Sequence, residues 1–288
     1  MLLDRSPSAT VTQDAALAVR SGASRAAGPS GTAIRIAPDG APPELSVVVP
    51  ARDERANVGP LVDEIVAALE GRYRFEIVFV DDASTDGTLD ELVAVRDGRA
   101  PMLRIVAHAA ARGQSFALVS GVRAARGALI ATLDADGQNV PDDIPAMVAL
   151  AQAHPPGAHF CIAGHRLSRR DTRWKRFQSR VANRVRAAIL DDPTPDTGCG
   201  LKVMPRETWL ALPAFDHVHR FVPALVRRLG GSVSVHEVHH RPRLHERSKY
   251  GMWDRLLPGL VDLAGMLWLG RRLRGVEARE VGEAPARP

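Results

Sequence analysis

Cysteine is scarce in this chain: its 288 residues include only Cys161 and Cys199, with no Cys-x-x-Cys spacing. So few cysteines exclude the disulfide framework of a small secreted domain, and a reducing compartment is the natural expectation. We expect both residues to be small buried core side chains rather than reactive thiols.

Long apolar runs and aromatic residues are also scarce. No stretch of about 18 uncharged apolar residues occurs, so a transmembrane helix is not expected. The N-terminus lacks the basic-then-apolar pattern of a secretory signal, because Asp4, Arg5 and Asp14 interrupt it. Aromatic residues make up 5% of the chain, too few for the stacking surfaces of a nucleic-acid-binding protein. We therefore expect a cytoplasmic protein with no nucleic-acid partner.

Positive charge is abundant by contrast. The formal net charge is +5 and the isoelectric point lies near 9.8. A basic protein of this kind favours acidic partners such as phosphorylated small molecules and anionic lipid. The hydrophobic fraction of 45% is ordinary for a globular protein and is enough for a sizeable core.

The composition divides the chain into three segments. Residues 1–43 are rich in Ala, Ser, Gly and Pro, and we expect a mostly disordered leader. Residues 44–250 are predicted to form one domain. Residues 251–288 are predicted to hold an apolar amphipathic helix and a polar tail.

Short β-branched runs alternate with amphipathic helical runs between residues 45 and 153. This alternation predicts an α/β fold, a mostly parallel sheet with helices on both faces. The predicted strands are Leu45–Val49, Glu76–Val80, Leu103–Val106 and Ala128–Leu133. The predicted helices are Asn57–Glu70, Asp86–Val95, Gln114–Arg126 and Asp142–Ala153. Beyond Cys161 the pattern is looser, with a basic helix over about 172–190, a helix Arg220–Leu229, a strand Val233–Val238 and a final apolar helix.

Polar clusters follow three of the predicted strands, and ligands of such sheets bind beyond the carboxyl ends of the strands. After the last of these strands, Asp134 and Asp136 can point toward one place, because alternate residues of an extended chain share a side. Two carboxylates there suit Mg²⁺ or Mn²⁺, with phosphate oxygens and water completing the coordination. An acidic turn without metal is the alternative for these residues taken alone.

The other two clusters indicate a nucleotide site. Pro50 is predicted to stop the first strand and Asn57 to cap the next helix, which leaves Glu54 to accept from a base or ribose donor. Asp82 is placed to hold ribose hydroxyls or a base N–H. Asp81 either shares that role or orients its turn. Ser84 or Asp86 is predicted to cap the following helix.

Three motifs together, residues 46–57, 80–88 and 133–138, resemble family 2 glycosyltransferases of the GT-A fold. Within that family the branch of dolichol-phosphate mannosyltransferases and bacterial undecaprenyl-phosphate sugar transferases is most similar. The resemblance implies a nucleoside pocket lined by Pro50, Arg52, Glu54 and Asp82. It also implies that Asp134, Asp136 and Gln138 bind metal and diphosphate.

Three further segments match the same branch. Gln114 lies in Gly113–Ser115, which corresponds to the loop before the third helix. Gly164–Arg166 fits the family's Gly-x-Arg, which places Arg166 against a phosphate of the acceptor. Residues 243–251 resemble the Arg-x-x-Gly-x-Ser-Lys loop over the donor diphosphate, with Glu246 where glycine is usual. The family residues retained in that loop are Arg243, Ser248 and Lys249, for which ordinary solvated charge is the alternative.

Two helical segments bear on the membrane. The basic helix over 172–190 carries two neighbouring stripes. One is formed by Arg173, Arg176, Arg180 and Arg184, and the other, aromatic and aliphatic, by Trp174, Phe177, Val181 and Val185. This arrangement favours the headgroup layer of a membrane, and a core-facing helix is the alternative. The apolar segment Leu256–Leu269 is too short to span and is predicted to be interfacial or packed on the core.

The segment His236–His240 satisfies the zinc-protease pattern His-Glu-x-x-His, which requires a helix to bring both histidines to one metal ion. Alternation from Ser232 predicts a strand here, in which the two histidines lie about 13 Å apart. We therefore expect no zinc site, and histidines near the acceptor phosphate or solvent.

The function expected from the resemblance is inverting, metal-dependent transfer of a sugar from a nucleoside diphosphate sugar to a polyprenyl phosphate. The enzyme would lie peripherally on the cytoplasmic face of a membrane, with a membrane-embedded partner protein possible. One alternative is transfer to a hydroxyl acceptor, with Asp196 as the base. Another is a non-catalytic subunit that binds a nucleotide sugar.

Overall fold

The structure is a computed structural model that describes residues 41–166, 190, 192, 194–242 and 253–272. For residues 253–260 it describes the backbone only. Seven strands form one sheet in the order β3-β2-β1-β4-β6-β5-β7. The strands are β1 (Leu45–Ala51), β2 (Phe75–Asp81), β3 (Leu103–Ala107), β4 (Leu129–Thr132), β5 (Phe160–Arg166), β6 (Lys202–Pro205) and β7 (Ser232–Val238). The helices are α1 (Arg55–Leu69), α2 (Thr88–Gly98), α3 (Gln114–Ala124), α4 (Ile144–Gln152), α5 (Arg206–Ala211), α6 (Val222–Arg228) and α7 (Trp253–Arg272). Short 3₁₀ turns cover Pro141–Asp143 and Val218–Arg220.

The first half of the sheet is parallel, as predicted. β1 pairs in parallel with β2 and β4, and β2 pairs in parallel with β3. Every residue of β1 is buried, because helices cover both faces of the sheet. The core forms two clusters, and the alternating residues Val47 and Val48 belong to different ones. The carboxyl ends of β1, β2 and β4 therefore lie side by side at one edge.

The second half of the sheet departs from a parallel arrangement. β6 runs antiparallel to both β4 and β5, whereas β5 and β7 pair in parallel. The sequence did not reveal β5, β6 or α5. β6 has only four residues and begins with the charged Lys202, so its apolar pattern is too short to identify a strand.

Three local expectations at the ends of elements were wrong. β1 continues through Pro50 to Ala51. Because β4 pairs with β1 only as far as Val48, no hydrogen bond to β4 is lost through the missing amide of Pro50. Helix α1 begins at Arg55 and has no side-chain cap, so Asn57 lies within its first turn. Gly87 occupies the cap position of α2, although Asp86 accepts a hydrogen bond from the Thr88 amide at 2.9 Å.

Helix α7 packs one side against the second core cluster. Met266 is buried, and Leu263 and Leu269 pack around it. Opposite them, Val261 and Trp268 are 70% and 62% exposed. In the part of the chain that the structure describes, no helix combines the length and apolarity needed to cross a bilayer.

Candidate active site

The three predicted strand-end clusters form the walls of one open cleft of about 270 Å³. Seven of the residues singled out from the sequence line this cleft, namely Pro50, Arg52, Glu54, Asp82, Gln114, Asp134 and Asp136. Asp81, Gln138 and Arg166 lie outside its lining. A larger groove of about 470 Å³ runs beside α1 and α2 and shares only Glu54 with the cleft. The larger groove contains neither Asp134 nor Asp136, whereas the smaller cleft contains both. The smaller cleft is therefore the candidate active site.

The loops after β1 and β2 bind each other at the end of the cleft that contains Glu54 and Asp82. The Asp53 amide donates to Ser84 Oγ at 3.0 Å, and the Thr85 amide donates back to Asp53 Oδ1 at 2.7 Å. Asp53 and Ala83 both have φ of 56°, an unusual backbone conformation for residues other than glycine. Such strained residues concentrate at functional sites, where the surrounding contacts hold them. Glu54 accepts from Asn57 Nδ2 at 2.6 Å and still lines the cleft.

Asp82 organises the loop between β3 and α3. Its carboxylate accepts hydrogen bonds from the amides of Arg112 and Gly113, at 2.8 and 2.7 Å, and contacts His108 Nδ1 at 2.7 Å. Burial alone would raise the pKa of this carboxyl, but these hydrogen bonds outweigh it and hold the pKa below its ordinary value. Asp82 is therefore ionised, and three of the roughly four acceptor positions of a carboxylate are used within the protein.

The buried carboxyl of Asp81 is only partly satisfied. Its Oδ2 accepts from the Ser84 amide at 3.3 Å, which is the turn-orienting role considered from the sequence. Its Oδ1 has no hydrogen-bond partner among the described residues. Burying an acceptor without a partner costs free energy, so this atom is a candidate to accept from a buried water.

Asp134 is held in a close-fitting position. Gln114, the first residue of α3, donates from Nε2 to Asp134 Oδ1 at 2.7 Å, and the Asp134 amide donates to Asn139 Oδ1 at 3.3 Å. Gly200 stands directly beside this carboxylate, since a Cβ at Gly200 would lie 2.3 Å from Asp134 Oδ2. The carbonyl of Gly200 accepts from Thr132 Oγ1 at 2.6 Å, so its backbone is fixed to β4. Sequence reasoning did not identify Gly200, although the Gly198–Gly200 run was a visible signal.

Gln138 connects the turn that contains Asp134 and Asp136 to the segment after β7. Its Nε2 donates to the Arg241 carbonyl at 3.2 Å, and the Arg241 amide donates to the Gln138 carbonyl at 2.9 Å. The Gln138 amide in turn donates to Asp136 Oδ1 at 3.1 Å. The structure thus shows a structural role for Gln138, and its predicted part in metal binding stays a prediction.

The donor set fits a divalent cation that is shared with a phosphorylated ligand. No group of three or more His, Cys, Asp and Glu side chains capable of holding a metal ion occurs in the described ranges. Asp134 and Asp136 nonetheless both line the same cleft. Mg²⁺ is commonly held by one or two carboxylates together with substrate phosphates, and these two residues meet that requirement.

Arg166 and Asp196 form a partly buried ion pair. Arg166 Nε and Nη2 donate to the two oxygens of Asp196 at 2.6 and 2.7 Å, and the two side chains are only 13% and 9% exposed. Burial alone would lower the pKa of the guanidinium, but the hydrogen bonds and charge of Asp196 raise it. This bidentate contact fixes the plane of the guanidinium. Arg166 and Asp196, which the sequence analysis assigned to two different mechanisms, therefore form one hydrogen-bonded unit.

Lys202 is a further site residue that sequence reasoning missed. Its side chain is buried, and Nζ donates to the carbonyls of Cys199 and Thr197. These contacts hold the turn that contains Asp196 and Gly200. Cys161 and Cys199 are buried as expected, and burial raises the pKa of the Cys161 thiol to about 12.

Several predicted features lie outside the described residues. They include Arg243, Ser248 and Lys249, and all of the basic helix predicted over 172–190 except its last residue. The strand predicted for the His-Glu-x-x-His segment is confirmed by β7. Beyond the end of this strand at Val238, His239 Nδ1 lies 2.8 Å from Asp143 Oδ1, and the His239 side chain is 79% exposed.

Comparison with known proteins identifies a family and close relatives. The family described as glycosyl transferase family 2 matches residues 46–209. A dodecaprenyl-phosphate galacturonate synthase of Rhizobium johnstonii is 36% identical over 79% of this chain and 68% of its own length. An undecaprenyl-phosphate 4-deoxy-4-formamido-L-arabinose transferase of Pseudomonas aeruginosa is 34% identical over 76% of this chain and 63% of its own. The chain therefore spans about two thirds of the length of these relatives.

Solved structures share the fold at lower identity. A mannosyltransferase of Pyrobaculum calidifontis in complex with GDP-Man and Mn²⁺ has a TM-score of 0.54 and 20% identity, covering 76% of this chain and 62% of its own. A glucosyl-3-phosphoglycerate synthase of Mycobacterium tuberculosis with Mn²⁺ and UDP-Glc has a TM-score of 0.55 and 20% identity, covering 77% of this chain and 79% of its own. These likenesses confirm the GT-A fold expected from the sequence.

Proposed function

The chain belongs to glycosyl transferase family 2, and from that premise we propose that it transfers a sugar from a nucleoside diphosphate sugar to a polyprenyl phosphate, with inversion. The observation that carries the proposal is the convergence of Glu54, Asp82, Asp134 and Asp136 on one cleft at the carboxyl edge of the sheet. Relatives named for transfer to dodecaprenyl and undecaprenyl phosphate support the class of acceptor.

The donor would lie along the cleft. Arg52, Glu54 and Asp82 are the residues that would contact the nucleoside, and Asp134 with Asp136 would hold the diphosphate through Mg²⁺ or Mn²⁺. A bound cation supplies positive charge that stabilises the departing diphosphate. Solved proteins of this fold contain Mn²⁺ beside a nucleotide sugar, which supports this choice of cofactor.

Residues outside the described ranges would cover the donor. Arg243, Ser248 and Lys249 come two to eight residues after Arg241, whose backbone pairs with Gln138. Arg241 Nη1 also contacts both oxygens of Glu64 on α1, at 2.7 and 3.0 Å. The start of this segment is thus anchored beside the metal-binding turn, and its cations would add to the neutralisation of the diphosphate.

The acceptor needs little activation by the protein. A phosphate monoester has a second pKa near 6 and is already a nucleophilic anion at neutral pH. Arg166 would orient that phosphate, with Asp196 fixing the guanidinium plane. Both oxygens of Asp196 accept hydrogen bonds from Arg166, which occupy acceptor positions that a general base would offer to the hydroxyl proton. This observation disfavours transfer to a hydroxyl with Asp196 as the base.

The membrane surface is reached through helix α7. Its outer side exposes Val261, Leu267 and Trp268, followed by Arg271 and Arg272 at the end of the helix. An apolar face with an aromatic residue and adjacent cations suits the boundary between headgroups and acyl chains of an anionic lipid layer. We propose that the enzyme binds peripherally by this face and by the basic helix over 172–190. A membrane-embedded partner protein stays a prediction.

A product assay tests the proposed function. Purified protein, Mn²⁺ and undecaprenyl phosphate are incubated with a panel of radiolabelled nucleoside diphosphate sugars, and lipid-linked label is extracted. We expect one donor to give product, and Asp136→Asn to abolish it. Asp142→Asn, an exposed carboxylate outside the cleft lining, is the matched control and should stay active.

The outcomes separate the alternatives. Nucleotide-dependent thermal stabilisation without any product would indicate a binding subunit rather than an enzyme. Product only with hydroxyl acceptors would contradict the polyprenyl phosphate assignment. Full activity of Asp136→Asn would refute the metal assignment.

A further inference from the structure

The first turn of helix α3 controls how Gln114 meets Asp134. The helix begins after Gly113, whose φ of 86° is readily adopted only by glycine. Gln114 follows at once and donates to Asp134 Oδ1 at 2.7 Å. The position of that amide therefore depends on where the helix backbone starts, and anything that holds the first turn also positions one of the proposed metal ligands.

Two contacts hold this turn. In the first, Asp82 accepts from the Gly113 amide at 2.7 Å. In the second, a hydrogen bond of 2.7 Å joins Ser115 Oγ to His219 Nδ1. Ser115 is 1% exposed and does not line the cleft. The Ser115–His219 contact therefore acts on the cleft only through the backbone of the turn.

His219 belongs to a short constrained segment, Asp216–Arg220. Its neighbour His217 has a φ of 63°, an uncommon conformation for a residue other than glycine. The His217 amide donates to Asp216 Oδ1 at 2.8 Å, which stabilises the turn. Burial, followed by the nearby charges of Lys202 and Arg220, lowers the pKa of His219 to about 3. The imidazole is thus neutral and keeps the same hydrogen-bonding form across the physiological range.

The same segment contacts helix α7. His217 Nδ1 lies 2.8 Å from Asp262 Oδ2, and both side chains are partly buried. Four residues further along, the Met266 carbonyl accepts from Arg228 Nη1 at 3.2 Å. Helix α7 is therefore fixed to the catalytic domain next to its exposed apolar face. The rings of His217 and His219 meet edge to face, with centroids 6.5 Å apart, so contacts run from Asp262 through His217 and His219 to Ser115.

We propose that the segment Asp216–Arg220 positions Gln114 against Asp134, and that its bond to Asp262 makes the metal-binding end of the cleft responsive to an anionic lipid layer bound on helix α7. His219 and His217 are positioning residues in this scheme. The inference rests on the proposed function, because it assumes that the cleft binds a metal and a nucleoside diphosphate.

A pair of His219 variants tests the positioning role. Asparagine places a polar atom where histidine has Nδ1, whereas glutamine places it where histidine has Nε2. Because the bond uses Nδ1, His219→Asn should retain the contact and His219→Gln should lose it. The probe is Mn²⁺, titrated in the presence of UDP or GDP, whichever the wild type binds, and followed by the loss of the free-ion electron paramagnetic resonance signal.

We expect His219→Gln to weaken Mn²⁺ binding about tenfold and His219→Asn to change it by less than about twofold. Melting temperatures of both variants show whether a change reflects general loss of stability. Equal Mn²⁺ binding by wild type and both variants would overturn the positioning role, as would equal losses in both. If the wild type binds no Mn²⁺ with either nucleotide, it is the proposed function that fails.

The connection to lipid is tested with vesicles of phosphatidylglycerol and phosphatidylcholine. In the wild type we expect vesicles to change the affinity for Mn²⁺ and to change amide hydrogen exchange in residues 112–118. Asp262→Ala should sediment with the same vesicles yet show neither change. A wild type insensitive to vesicles, or an Asp262→Ala variant that responds as the wild type does, would overturn the connection.

Discussion

At the scale of single residues, the carboxylate of Asp134 is confined by its neighbours. Gln114 donates to one of its oxygens, and the hydrogen face of Gly200 lies against the other. If Asp134 binds the metal as proposed, a carboxylate held in place beforehand does not need to be reordered on binding, which favours affinity. The identity of residue 200 therefore matters to the proposed chemistry although a glycine has no functional group.

Replacing Gly200 should affect activity far more than replacing Gly198 two residues away. A Cβ at position 200 would lie 2.3 Å from Asp134 Oδ2, whereas one at position 198 would lie 3.5 Å from Arg166 Nη2, an ordinary contact. We expect Gly200→Ala to raise the dissociation constant for Mn²⁺ and lower kcat at least tenfold, since a displaced group of about 1 Å can cost about 10²-fold. Gly198→Ala should keep both near wild-type values. Titration of Mn²⁺ and steady-state kinetics check this, and equal effects of both substitutions would contradict it.

The Arg166–Asp196 pair gives a second prediction at this scale. If Asp196 only orients Arg166, Asp196→Asn should lower kcat/KM for the acceptor by about 10- to 100-fold at every pH from 6 to 9. The donor KM should change little, because Asp196 does not line the donor cleft. A loss that grows steeply on one side of the profile would instead identify Asp196 as a general base.

At the scale of elements, short segments between secondary structures position the site. The loops after β1 and β2 bind each other, the turn after β4 pairs with the segment after β7, and Asp216–Arg220 joins α3 to α7. Loops held on a rigid sheet commonly carry binding residues in this way. Helix α7 differs, because one side is packed on the core while the other is exposed and apolar.

Membrane binding should depend on the outer side of α7 and not on its packed side. We expect the double variant Val261→Ser, Trp268→Ser to lose most of its sedimentation with anionic vesicles, while its melting temperature stays close to that of the wild type because both side chains are exposed. Met266→Ala on the buried side should instead destabilise the fold by about 2–5 kcal/mol. Unchanged sedimentation of the double variant would refute this membrane face. Weaker binding at high salt would support a contribution from Arg271 and Arg272.

At the scale of the whole molecule, a buried network joins elements far apart in sequence at the edge of the sheet opposite the cleft. Glu76 on β2 accepts from Ser46 Oγ on β1 at 2.7 Å, from the Arg126 amide at 2.6 Å and from Arg104 Nη1 on β3 at 2.9 Å. Burial alone would raise the pKa of Glu76, but these donors and the charge of Arg104 bring it below its ordinary value. The carboxylate thus stabilises the fold in its ionised form.

The pH dependence of stability follows from that direction. Because the folded pKa is lowered, the stabilisation is fully present above the unfolded value near 4.5 and is lost as the pH falls through the folded pKa. We expect Glu76→Gln to lower the free energy of unfolding by about 2 kcal/mol at pH 7, with the difference from the wild type shrinking below pH 4.5. Urea unfolding at several pH values measures this. A difference that does not depend on pH would contradict it.

The sequence by itself determined the parallel half of the sheet and which residues meet in the lining of the cleft. Val47, Val78 and Ile130 lie in apolar runs that identify strands, and Glu54, Asp82 and Asp134 follow those runs at the same edge. These conclusions depend on local periodicity and on the rule that parallel strands end together. Residues a few positions apart carry that information, so it can be read without knowing the path of the chain.

Only the tertiary structure decided the contacts between distant segments. They include the antiparallel direction of β6, the approach of Gly200 to Asp134, the pairing of Arg166 with Asp196 and the bond between Ser115 and His219. The last two contacts join residues that are 30 and 104 positions apart. Loose patterning after Cys161 gives no local signal for such pairings. They follow from how the whole core packs, since burial in one arrangement brings these polar groups together and requires each to find a partner.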